Sequence, residues 1–237
     1  MKKKILALSL ALGAFALILS AGTMAYFTDR TDVIKNVFTV GNVEIELKEN
    51  FEQNSLLLPV TGSAQAGTLK NGVTKEISVK NTGNSEAYVR VHIAIPNILD
   101  NGDPSFDASR NVLHFNYPKD SVGANKWDWS NSTGAPYEGQ WNYYEQTIDG
   151  VKYNVYVVTY EKALAKNEET AEKAMSQVYL DSKVTSADAN RINAALNNDV
   201  NIKVVAEATQ KEGFTDAYDA LNTGFGNPGT YDAFAQN

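Results

Sequence analysis

Apolar and polar residues alternate along most of this chain in short runs cut by Gly, Asn and Asp, the two-residue period of strands buried on one face. In Val43-Glu44-Ile45-Glu46-Leu47-Lys48 the apolar side chains share one face and three charges the other, predicting a strand with one wet side. Val73–Lys80 repeats the device with Val73, Ile77 and Val79 inward, and Asn81-Thr82-Gly83-Asn84 follows as a turn in which Gly or Asn takes positive φ. Ala87–Ile95 sets Ala87, Val89, Val91, Ile93 and Ile95 on the core face and Tyr88, Arg90 and His92 toward solvent, and Pro96 ends it. Asn111–Tyr117 turns Leu113, Phe115 and Tyr117 inward and His114 outward. Trp141–Ile148 and Val151–Tyr160 flank Asp149-Gly150, a dipeptide suited to a two-residue hairpin turn.

Further on, Ser176–Thr185 and Val200–Thr209 read as strands, while Ser186–Asn197 and Phe214–Phe225 have helical spacing with Ser186 and Thr215 as caps. Some eight short strands separated by turn signals predict an all-β antiparallel sandwich with short helices, and Asn97–Arg110 and Lys119–Gly139 read as long loop inserts.

The first residues follow another pattern. Lys2-Lys3-Lys4 precedes an uncharged run, Ile5–Phe27, closed by the small residues of Thr23-Met24-Ala25, the layout of an export signal cut between Ala25 and Tyr26. An uncut run of this length would span a membrane as an anchor; its Ala, Gly and Ser content favours cleavage, with contact to the membrane only during export. The expected organisation is a signal peptide at 1–25, an arm at 26–40 and a sandwich domain at 41–237 in a secreted protein. Cleavage lowers the 21 basic side chains by three to 18, against 28 acidic ones, for a net charge near −10 that repels nucleic acid and anionic lipid. With no cysteine, the domain gains nothing from disulfides and has no thiol for lipid attachment.

Ala25-Tyr26-Phe27-Thr28-Asp29, then Phe38-Thr39-Val40-Gly41-Asn42-Val43-Glu44-Ile45, then Val79–Asn84 with Ala87-Tyr88-Val89-Arg90-Val91, and finally Val204–Gln210 before a short helix occur in an order that resembles the TasA/camelysin (CalY) family. The resemblance implies a jelly-roll sandwich, processing by an ER-type signal peptidase of the SipW kind, and secretion as a subunit of biofilm-matrix fibres or thin pili. It also implies that partners are further copies of the chain and related fibre subunits, each donating its freed arm to the next. Here the donor would be Tyr26–Phe38, with Tyr26, Phe27, Val33, Ile34, Val37 and Phe38 as apolar anchors. Head-to-tail pairing of this kind propagates without closing. One face of the extended arm carries Tyr26, Ile34, Phe38 and Val40, but also Thr28, Arg30, Asp32 and Asn36, so its centre is polar.

Camelysins have been described as metalloproteases, yet this chain has only two histidines, His92 and His114, both expected on sheet surfaces. It has no His-Glu-x-x-His and no Gly-x-Ser-x-Gly, so no catalytic, metal or cofactor residue is assigned. Leu58-Pro59-Val60-Thr61-Gly62 fits a sortase pattern without the tail that sorting needs, and reads as a loop. Asp100, Asp103 and Asp107 offer oxygens to calcium but lack a complete loop, and Asn131-Ser132-Thr133 is a lone glycosylation sequon. Trp127, Trp129, Tyr137, Trp141, Tyr143 and Tyr144 either form a sugar-stacking platform, making this a cell-wall or glycan-binding module, or plug the end of the sandwich.

Overall fold

The alternating runs pair into two antiparallel sheets. The structure, a computed structural model, describes residues 28–30, 42–51, 55–61, 70–100, 112–116, 122–129 and 143–235. Its strands are β1 (Thr28–Arg30), β2 (Ile45–Phe51), β3 (Val73–Asn81), β4 (Ala87–Pro96), β5 (Leu113–Asn116), β6 (Trp127–Asp128), β7 (Tyr143–Ile148), β8 (Val151–Leu164), β9 (Met175–Leu180) and β10 (Lys203–Gln210). One sheet runs β1-β10-β4-β8-β6, with β7 also paired to β8, and the other runs β2-β3-β9-β5. Between them lies a dry core. Val89, Val91 and Ile93 of β4, Tyr156 and Val158 of β8 and Ala206 and Ala208 of β10 meet Ile45, Ile77, Val79, Leu113 and Val178 from the facing sheet. The expected all-β sandwich is therefore present.

The Asp149-Gly150 hairpin forms as predicted. Asp149 has φ 52° and Gly150 φ 81°, the left-handed pair a type I′ turn requires, and Ile148 pairs with Val151 across it. The Asn81–Asn84 turn differs from expectation, since none of its residues has positive φ. Gly83 is there for close approach instead: a Cβ on it would lie 2.2 Å from the Asn42 carbonyl oxygen and 2.7 Å from the Glu44 nitrogen.

Two helices follow the pattern with caps displaced by one residue. In α1 (Ser186–Ala195) the cap is Thr185, whose hydroxyl accepts from the Asp188 N–H while the Asp188 carboxylate accepts from the Thr185 N–H, a reciprocal capping box. In α2 (Ala217–Phe225) the cap is Asp216 rather than Thr215. The insert at 119–139 is also not wholly loop, because Trp127–Asp128 adds β6 to the edge of the larger sheet.

The largest departure concerns the outer face of that sheet. Ala217, Ala220 and Leu221 of α2 pack on Tyr88, and Phe234 packs on the cluster of Ala94, Ile148, Tyr153 and Val155. All ten residues of β4 are buried. Tyr88, Arg90 and His92, expected at the surface, are thus inside a second, thinner layer formed by the carboxyl-terminal segment.

Candidate functional site: the edge of β10

β10 lies one strand in from the edge of its sheet. Along one side it pairs with β4 over its full length, from Lys203 opposite Ala94 to Gln210 opposite Ala87. Along the other it pairs with β1 at three positions only: Thr28 with Thr209, Asp29 with Ala208 and Arg30 with Glu207. Among the described residues no strand pairs with this side of β10 from Lys203 to Ala206.

The sequence of β10 explains why the strand is fixed so firmly. Val204, Ala206 and Ala208 point into the sandwich, while Val205, Glu207 and Thr209 share the outer face with His92, Arg90 and Tyr88. Glu207 is fully buried there. Its Oε2 accepts from Arg90 Nε at 2.8 Å and from the Tyr231 hydroxyl at 2.7 Å, and lies 3.2 Å from His92 Nε2. Arg90 also donates to the Asn222 side chain at 2.9 Å, the Gly226 carbonyl at 3.0 Å and the Tyr231 hydroxyl at 2.6 Å. His92 Nδ1 lies 3.1 Å from the Tyr144 hydroxyl. Burial works to raise the Glu207 carboxyl, but His92, the Arg90 guanidinium and the Tyr231 hydroxyl outweigh it and hold the group well below the usual carboxylate range. Burial, with Tyr231 and Glu207 nearby, pushes the Tyr144 phenol up. The cluster pins β10 to β4 and the carboxyl-terminal segment to both. In register, Glu207 stands between Arg90 on β4 and Arg30 on β1.

A groove of about 2040 Å³ lies beside the Lys203 end of β10. Ile45 and Leu47 of β2, Leu56, Leu58, Ile192 of α1 and Ile202 line it, with Glu44, Glu46 and Lys203 among its charges. Leu56 is 75% and Leu58 42% exposed.

Ala25, Tyr26, Phe27, Val33, Ile34, Val37 and Phe38 lie outside the described residues, and of the arm only Thr28–Arg30 is described. His92 is 0% exposed rather than on the surface, because α2 and the Tyr231 region cover its sheet face. His114 is also largely covered, 3.1 Å from Asp181 and stacked on Tyr179. Trp127 and Trp129 are core residues, Trp129 stacked on Phe115 at 5.0 Å, so neither offers a face to a sugar; Tyr143 keeps 36% exposure, and Tyr137 and Trp141 are outside the described residues. Asp100 is buried with its carboxylate accepting from Tyr156 at 2.6 Å and Asn154 at 3.2 Å, an internal tie in place of a cation ligand; Asp103, Asp107 and Asn131 are not described. Val60, within the sortase-like pattern, is buried and its N–H bonds to the Leu180 carbonyl.

Among the described residues no group of three or more His, Asp or Glu side chains is placed to hold a metal ion, and no helix is long and apolar enough to cross a membrane. No family model, curated protein or solved structure matches the chain. Sequence reasoning missed Glu207 and its partners. The available signal was Val204-Val205-Ala206-Glu207-Ala208, apolar at both parities apart from one acid, the mark of a strand buried on both faces.

Proposed function

We propose that this protein is a secreted structural subunit of extracellular fibres, joined head to tail when the amino-terminal arm of one copy pairs with the β10 edge of the next. The observation that carries the reading is the pairing of Thr28–Arg30 with β10, which supports β10 as the edge that would accept the arm. In register, Thr28 and Arg30 stand opposite Thr209 and Glu207 of the polar outer face, and Asp29 opposite Ala208. The order of motifs resembling TasA and camelysin supports the same reading, as does the arm at Tyr26 that signal cleavage would free.

The test is assembly of the secreted protein. Linear filaments from the chain beginning at Tyr26, and folded monomers that do not assemble when 26–38 is deleted, are the expected result. Full-length secreted protein that stays monomeric at all concentrations while binding peptidoglycan or polysaccharide would replace this reading with that of a glycan-binding module.

A further inference from the structure

We infer that Asn71 is a site of spontaneous deamidation, and that its conversion irreversibly loosens the segment 55–61 from β9 and from the entry to β3. The sequence has two Asn-Gly pairs, Asn71-Gly72 and Asn101-Gly102, and only the first lies among the described residues. Glycine matters because the reaction closes a succinimide ring through the backbone nitrogen that follows asparagine, and no Cβ on Gly72 shields that nitrogen. The Gly72 nitrogen attacks Asn71 Cγ, the bond from Cγ to Nδ2 breaks, and ammonia leaves with the proton that Gly72 gave up. Water then opens the ring at either carbonyl, giving aspartate or isoaspartate. Asn71 is exposed and lies just ahead of β3, outside any strand.

The same side chain is one of the fastenings of 55–61. Asn71 Nδ2 donates to the Pro59 carbonyl at 3.0 Å, the Val60 N–H to the Leu180 carbonyl at 3.1 Å, and the Lys70 N–H to the Thr61 carbonyl at 2.8 Å. Val60 is buried, but Leu56 is 75% and Leu58 42% exposed, so much of the hold on the segment is these bonds. While the Asn71 amide donates to Pro59 its side chain is committed to that contact, and ring closure waits for the bond to open. The product prevents its return. A carboxylate has no hydrogen to donate, so two acceptors would face each other at Pro59. Isoaspartate also lengthens the backbone just before Gly72, where space is short: a Cβ there would lie 2.3 Å from Gln177 Nε2.

The test is peptide mapping of the protein held in mildly alkaline buffer, folded and in unfolding urea, with isoaspartate separated from aspartate by chromatography. The expected result is that Asn71 converts in the folded protein, more slowly than in urea but ahead of the described asparagines that no glycine follows. Asn71 left intact in the folded protein over a period that converts it in urea would overturn the site. The loosening is read separately with Asn71→Asp. Asn71 has φ 66°, a conformation aspartate also tolerates, so this variant reports the lost donor and the new charge rather than backbone strain. Amide exchange at Val60 and Lys70 should rise several-fold in the variant while that of β4 and β8 stays as in the wild type. Unchanged exchange at Val60 and Lys70 would overturn the loosening.

Discussion

Arg90 on β4 and Glu207 on β10 meet at 2.8 Å with their side chains 1% and 0% exposed. A pair so placed is costly to break from one side. Glu207→Gln keeps the shape and removes the charge that balances the guanidinium, and is expected to cost about 3–5 kcal/mol of unfolding free energy by urea titration. Amide exchange should rise most in 217–231, because Asn222, Gly226 and Tyr231 hold to the sheet through Arg90. Arg90→Lys should lose much of the same stability, since a single ammonium cannot reproduce the forked set of donors.

Acid should weaken the fold through carboxylates held below their ordinary range. Glu207 is one; Glu169, drawn down to about 2 by hydrogen bonds from Lys48, Ser78 and Lys173 against the opposing pull of burial, is another. A lowered folded-state pKa stabilises above the unfolded value near 4.5, and that contribution is lost as pH falls toward the folded value. The urea midpoint should stay level down to about pH 5 and then drop. Glu169→Gln should make the drop between pH 4.5 and about 2 shallower.

Two glycines should respond differently to alanine. At Gly150, φ is +81° and the added methyl meets nothing, so the cost is torsional alone, about 1–2 kcal/mol in thermal or urea unfolding. At Gly83 the methyl would fall on the backbone of Asn42 and Glu44, and the start of β2 must move. That change should cost at least as much as Gly150→Ala and should raise amide exchange at Thr82 and Gly83, both of which donate to the Glu44 carbonyl.

Charge should govern filament yield. A chain beginning at Tyr26, as the proposed export would leave it, would carry 28 acidic against 18 basic side chains, so copies of it would repel at low ionic strength, and screening shortens such repulsion to about 8 Å at 0.15 M salt. Yield measured by sedimentation should rise with added salt; a falling yield would mean that attractive charge pairs join the subunits.

Much of the sandwich was legible because one-sided burial writes a two-residue period into sequence. The hairpin at Asp149-Gly150 lies where turn chemistry puts it, and β2, Ile45–Phe51, overlaps the alternating run Val43–Lys48 but starts two residues later and runs three further. The polar cluster was hidden by the same rule. With Arg90 and His92 alternating against Val89, Val91 and Ile93, β4 imitates a strand with a wet face, and only the covering by α2 and residues 226–235, remote in sequence, closes it off. The cap positions slipped by one because Thr185 and Ser186, like Thr215 and Asp216, are adjacent residues that can both cap, and the choice rests on which backbone turns first. Trp127 and Trp129 looked like a platform because Gly, Ser and Asn surround them; burial in the core depends on β6 joining β8, which a two-residue strand scarcely signals.

The full-length pairing of β10 with β4, itself laddered to β8, has a mechanical meaning. In a chain of subunits coupled through an arm lying alongside β10, tension would run parallel to the strands. The hydrogen bonds of each ladder would then be loaded together in shear rather than opened one after another, and the buried Arg90–Glu207 tie would resist β10 sliding along β4. Single-molecule pulling along the arm should therefore meet a higher rupture force than pulling across the sheet.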